Sequence, residues 1–208
     1  MQKILRIDSS ARINDSHSRS LADEVQAQWL ATHPGGVVQL RDLSKEPIEH
    51  IENDTIVGYY TGEEDMTDPL RNATAQSDKL IDELMGADAL LISTPMYNFT
   101  IPSVLKAWID QVVRIHKTFG YAEDGNLQGM VKNKSAYIAT ALGAQFTGTP
   151  LVAMDFLHPY LKSVLGFIGF EQIEFFSVES TAVDENQFAL SKNNALADIA
   201  KLFPKAVA

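Results

Sequence analysis

Short apolar runs alternate with stretches of helical spacing along this chain, a pattern that predicts an α/β architecture. Lys3 to Ile7 is an apolar run of strand length. Beyond a polar segment from Ser9 to Ser20, the residues Leu21, Ala22, Val25 and Trp29 fall on one face of a helix that Gly35-Gly36 ends. Val37 to Leu40 forms the second strand. Glu46 to Thr67 is rich in acids, Gly and Tyr and has no clear period, so it reads as a surface excursion, a candidate lid or dimer arm. Asp68-Pro69 starts a helix with Ala73, Ser77, Leu80, Ile81 and Leu84 on one face, and Gly86 closes it.

The third strand runs from Ala87 to Ser93, and Thr100 with Pro102 opens a helix whose apolar stripe is Val104, Leu105, Trp108, Ile109, Val112 and Val113. Ser135 to Thr140 is the fourth strand, followed by a loop from Gly143 to Pro150. Phe156 to Leu165 is helical in pattern, with a kink or restart expected at Pro159. Gln172 to Val178 is the fifth strand, and Phe188, Ala195, Leu196, Ile199 and Phe203 mark a closing helix. Five strands interleaved with helices predict a doubly wound five-stranded parallel sheet in the order 2-1-3-4-5, with residues 1–208 as a single domain.

Composition narrows the function. The chain of 208 residues carries a formal net charge of -10, which opposes binding to nucleic acid or anionic lipid. It has no cysteine, so disulfides and thiolate metal ligands are excluded, and a reducing, cytoplasmic setting is the expectation. No apolar run approaches the length of a membrane span, and the first residues read as a strand, not as a secretory signal. His17, His33, His50, His116 and His158 show no metal-ligand spacing, so no metal is expected.

The candidate chemistry sits in loops that leave the carboxyl ends of strands, where open α/β sheets bind small molecules. Ser93-Thr-Pro-Met-Tyr-Asn-Phe-Thr-Ile-Pro102 places a Tyr, an Asn, a Phe and free amides between strand three and its helix. That set suits a flat, aromatic, hydrogen-bonding ligand. The first loop offers the hydroxyls of Ser9, Ser10, Ser16, Ser18 and Ser20 at the start of a helix, a setting for phosphate. It lacks both the Gly-x-Gly-x-x-Gly of dinucleotide folds and the Gly-Lys-Ser/Thr of a P-loop, and a monophosphate such as that of FMN fits it best. Helix capping by Asn14, Asp15 or Ser16 explains the loop equally well when it is taken alone.

Together, Ser9-Ser10 with Ser16-His17-Ser18, Pro95-Met96-Tyr97-Asn98-Phe99, Thr118-Phe119-Gly120-Tyr121, Pro159-Tyr160-Leu161 and Leu165-Gly166-Phe167-Ile168-Gly169 resemble the FMN-dependent NADH-azoreductases, relatives of the NAD(P)H quinone reductases in the flavodoxin-like superfamily. The resemblance spans most of the chain, and the Met-Tyr-Asn-Phe tetrad is its most specific part. It implies that Ser10, Ser16, His17 and Ser18 hold the FMN phosphate, and that Met96, Tyr97, Asn98 and Phe99 lie along the ribityl chain and ring. By the same resemblance Gly143, in the loop after the fourth strand, is a further candidate to bind the flavin. Tyr121 and Phe167 look like aromatic walls of a substrate pocket shared across a homodimer; ordinary core packing is their other reading.

The implied activity is two-electron, ping-pong reduction of quinones or azo compounds by NADH or NADPH through the flavin, with no obligatory catalytic side chain. One departure stands out. The family's usual Ser-x-Gly-Gly loop is here Thr140-Ala141-Leu142-Gly143-Ala144, which removes a hydroxyl and a Gly free to take positive φ. Two rival readings share the fold: an FMN electron carrier serving a protein partner, and a flavin-free receiver-like domain. The second wants a Lys after the fifth strand, and Ser177 to Ala182 contains none.

Overall fold

A computed structural model describes residues 1–204. Five strands form one parallel sheet: β1 (Lys3–Asp8), β2 (Val37–Asp42), β3 (Ala89–Pro95), β6 (Ser135–Ala141) and β7 (Gln172–Val178). Their spatial order is β2-β1-β3-β6-β7. Two further strands, β4 (Phe119–Tyr121) and β5 (Leu127–Gly129), pair antiparallel and stand apart from that sheet. Strands four and five of the sequence reading are therefore β6 and β7. Three-residue strands are too short to show an alternation, so the hairpin escapes the hydrophobic pattern. Its one local signal is Asp124-Gly125, with Gly125 at φ +81.

Helices cover both faces of the sheet, which is why its central strands read as unbroken apolar runs. Ile4, Leu91 and Ala139 pack towards α1 (His17–Thr32) and α6 (Glu185–Leu202). Leu5, Ile7, Leu90, Ile92 and Ile138 pack towards α3 (Asp68–Met85), α4 (Ser103–Val112) and α5 (Leu157–Ile168). Trp29 and Trp108 are both core residues.

Two expectations change. The acidic segment after β2 is not wholly irregular: it holds α2 (Asn53–Tyr60), started by a capping box between Glu52 and Thr55. Pro159 does not kink α5, because it lies in the first turn, where no carbonyl awaits its missing N–H. The apolar stripe on α4 is core, with Leu105, Trp108, Ile109 and Val112 buried within the subunit. The exposed apolar side chains lie elsewhere, at Ile56, Val57 and Tyr60 on α2 and at Tyr121 and Leu127 on the hairpin. No helix among the described residues is long and apolar enough to cross a membrane.

Candidate active site

The sheet order reverses beside β1, with β2 on one side and β3 on the other, so the loops after β1 and β3 diverge and leave a crevice. Seven of the expected residues border one cleft there: Ser10, Ser16, His17, Ser18, Met96, Tyr97 and Gly143, joined by Arg12, Pro95, Ala141 and Thr181. The cleft measures about 170 Å³, and larger cavities elsewhere share no lining residue with it. Size alone does not identify the site; the donor set does.

Helix α1 begins at His17 with Ser16 as its cap, the Ser16 Oγ accepting the Arg19 N–H at 3.5 Å. The His17 and Ser18 amides lie in the first turn and have no carbonyl within the helix, so they are free at its positive end. Ser16 Oγ and Ser18 Oγ stand 3.3 Å apart beside them. Burial, followed by the charges of Arg12 and Lys192, pushes the His17 imidazole below its ordinary value. Its ring packs on Phe188 with centroids 4.6 Å apart. Among the described residues no carboxylate borders the cleft of this acidic chain.

Beneath the first loop lies a ladder of ions. Arg6 grips Asp8 through Nε and Nη2 at 2.9 and 3.2 Å, and Arg19 bridges Asp8 (2.9 Å) to Asp42 (2.8 Å). Arg19 Nη2 also donates to the Ser10 carbonyl at 2.9 Å. A trans peptide points its carbonyl and the next N–H in opposite directions. Drawing the Ser10 carbonyl inward therefore turns the Ala11 amide away from Arg19. Asp8 is fully engaged, which removes the free carboxylate that a receiver-like domain needs at this position.

The second loop is a tight turn in which Tyr97 N–H donates to Thr100 O (2.9 Å) and Thr100 N–H to Tyr97 O (3.1 Å). Asn98 at φ +49 and Phe99 at φ +71 occupy its centre, the two positive angles of a type I′ turn. Asn tolerates this backbone, whereas Phe there carries strain of order 1–3 kcal/mol. The Phe156 N–H holds the Phe99 carbonyl at 3.0 Å and helps keep the turn. Both side chains are exposed on the rim and do not line the cleft.

Tyr121 and Phe167 lie outside the cleft, 62% and 40% exposed. The structure joins them to each other's neighbourhood: Phe119 packs on Phe167 at 4.8 Å, and Tyr121 shares a strand face with Phe119.

A family model described as a flavodoxin-like fold matches residues 2–202. An FMN-dependent NADH:quinone oxidoreductase of Xanthobacter autotrophicus is 53% identical over 84% of this chain and 84% of its own. The chain belongs to this family. A second member, from Trichormus variabilis, is 39% identical over 100% of this chain and 99% of its own. An azoreductase crystal structure from Bacillus anthracis superposes with a TM-score of 0.88 at 27% identity, covering 99% of this chain and 100% of that one.

In this FMN-dependent NADH:quinone oxidoreductase family member, the altered loop after β6 needs no second glycine. Neither Gly143 nor Ala144 has positive φ. The carbonyls of Leu142, Gly143 and Ala144 accept from Thr181, Ala182 and Ser180, each at 3.1 Å, so the loop is stitched to the segment after β7. The buried Glu179 fixes its far side, accepting from the Phe146 N–H (2.8 Å) and the Thr147 hydroxyl (2.7 Å).

Sequence reasoning missed Arg12 and Thr181 at the cleft and Arg19 and Glu179 behind it. Arg12 had a signal, its place two residues after Ser10. Arg19 and Glu179 act through partners remote in sequence, which no local pattern reveals.

Proposed function

We propose that this protein is an FMN-dependent oxidoreductase that uses NADH to reduce quinones and azo compounds. The relatives' names favour this reading over an electron carrier that serves a protein partner. The observation that carries it is the donor set: helix amides, serine hydroxyls and Arg12 around a cleft free of carboxylates, next to a strained turn that presents Tyr97, Asn98 and Phe99. Those groups fit a phosphate monoester joined to a flat heteroaromatic ring. When bound, FMN supplies the redox chemistry, accepting hydride from NADH and delivering two electrons to the acceptor.

The residues take distinct roles in this reading. Ser10, Ser16 and Ser18 with the His17 amide hold the phosphate. Met96, Tyr97, Asn98 and Phe99 border the ribityl chain and ring, and the Gly143 loop directs its amides at the ring's polar edge, where donors stabilise negative charge. Tyr121 and Phe167 wall the acceptor pocket of the opposite subunit in a homodimer. Two features support the dimer. A cleft of about 170 Å³ falls below the roughly 300–1,000 Å³ of complete small-molecule pockets, so one chain encloses only part of its ligands. The exposed aromatics and the apolar side of α2 also form neighbouring surface around a cavity that Ile56, Tyr60 and Phe119 line. We place the chain in the cytoplasm as one domain.

Purified protein is expected to show a flavin absorbance that bleaches on anaerobic addition of NADH and returns with a quinone. Colourless protein that takes up no added FMN would reject the assignment. Asn98→Ala is expected to weaken FMN binding about tenfold, through one lost hydrogen bond and a less favourable turn residue. Fluorescence titration measures it, and unchanged occupancy and turnover would remove Asn98 from the site. Light scattering tests the shared pocket: a dimer is expected, and a fully active monomer contradicts it.

A further inference from the structure

Helices α2 and α3 and the segment that follows α4 enclose a cavity of about 290 Å³ that shares no lining residue with the cofactor cleft. Three cations border it, Arg71, Arg114 and Lys117, against two carboxylates, Glu63 and Asp78. A local excess of positive charge is notable in a chain of net charge -10. Arg71 binds Glu63 at 2.6 Å, and Lys117 stands 3.7 Å from Asp78; both cationic side chains are half exposed at the rim.

Arg114 is the inner wall. It is only 7% exposed, its guanidinium carbon lies 4.6 Å from the centre of the Tyr59 ring, and Nη1 donates to Asp78 at 2.8 Å. Its Nε is buried without an acceptor, and Nη2 makes no hydrogen bond among the described residues. This Nε–Nη2 edge is the one through which Arg6 holds Asp8 and Arg41 holds Glu83 side-on. In Arg114 the same two-pronged edge is unspent. A buried guanidinium that keeps its two-pronged edge open beside its bond to Asp78 matches the geometry of a planar or tetrahedral oxyanion. The strained backbone at His116, φ +64, holds the preceding and following residues close together, with the His116 N–H bound to Phe119 O.

We propose that this cavity is a second anion site, taking a phosphate-class oxyanion side-on at Arg114 with Arg71 and Lys117 closing over it. The phosphate has two sources, the diphosphate of the nicotinamide dinucleotide or a free phosphate compound.

The test uses FMN-saturated protein and inorganic pyrophosphate, followed by phosphorus NMR titration. Saturable binding is expected, weakened about tenfold in the Arg71→Gln, Lys117→Gln double variant, whose exposed positions leave the fold intact. Arg114→Lys keeps the charge but lacks the fork, and binding is expected to fall there too. Absence of saturable binding to the unmodified protein, or equal binding by the double variant, overturns the proposal. Pyrophosphate that competes with NADH in the unmodified enzyme, and ceases to do so in the double variant, assigns the dinucleotide as source. Saturable binding that leaves the NADH KM unchanged assigns a free phosphate. Flavin occupancy, read from absorbance in the same samples, reports separately on the cofactor assignment.

Discussion

Arg19→Met is expected to lower stability by about 3–5 kcal/mol, the cost of leaving a partner of a buried ion pair uncompensated. Arg19 is 13% exposed, and its removal leaves the buried Asp42 (7% exposed) with Ser44 and only a distant cation, Lys45 at 3.7 Å, while Asp8 keeps Arg6. The same change releases the Ser10 carbonyl, so the loop beneath the phosphate loses its inner anchor. FMN affinity should therefore fall more than riboflavin affinity, since riboflavin has no phosphate to lose contact with. Equal losses for both flavins would mean that Arg19 supports the fold without orienting the loop.

The pH response gives a second reading of this variant. Burial alone would raise the Asp42 value, but hydrogen bonds from Arg19 and Ser44 outweigh it and hold the carboxyl well below the usual carboxylate range. A depressed folded value stabilises the protein above the unfolded value of about 3.9 and loses that contribution as pH falls through and below it. Urea midpoints of the parent protein should therefore fall over this acid range. In Arg19→Met that part of the slope should be reduced, because most of the depression has gone.

Gly129→Ala is the second large effect. A methyl group at position 129 would sit 2.3 Å from the Gly169 nitrogen and the Ile168 carbonyl carbon, both backbone atoms with no side chain to swing aside. Gly169 itself requires φ +116, and the Val131 N–H binds Ile168 O at 2.9 Å next to the contact. The added carbon must therefore separate the β4–β5 hairpin from the end of α5, at about 3 kcal/mol or more. Phe119 would then lose its packing on Phe167. The expected kinetic result is a raised KM for quinone with FMN affinity close to that of the parent. A variant with unchanged thermal midpoint and unchanged KM contradicts this account.

Much of the fold is legible because the central strands are covered on both faces and so write themselves as apolar runs. Lys3 to Ile7 is a clear case, one residue short of β1, which is buried from Ile4 to Asp8 between β2 and β3. The start of α1 is legible for a different reason: Ser16 caps it through local chemistry. What escapes is structure set by partners distant in sequence. The hairpin depends on bare backbone contact with α5, and Arg19 depends on Asp8, Asp42 and Ser10. The α2 helix was legible in principle through the Glu52 and Thr55 capping pair, but its weak amphipathic pattern hid it among acidic residues.

At the candidate site the cleft residues of the first two loops were legible from composition and resemblance, because hydroxyls and amides at a helix start announce their chemistry. The roles of Asn98 and Phe99 were less so. The resemblance sets them along the flavin, whereas their exposure outside the cleft and their shared positive φ emerge only from the closed turn.

The close backbone meeting of Gly129 and Gly169 also bears on how such a protein diversifies. Because hairpin and helix touch without intervening side chains, the two segments are welded at that point, and no hinge is available there for adjusting the distance between them. Under the acceptor role proposed for Tyr121 and Phe167, changes of acceptor range in descendants come from exchanging those exposed rings, while the joint beneath them stays as it is.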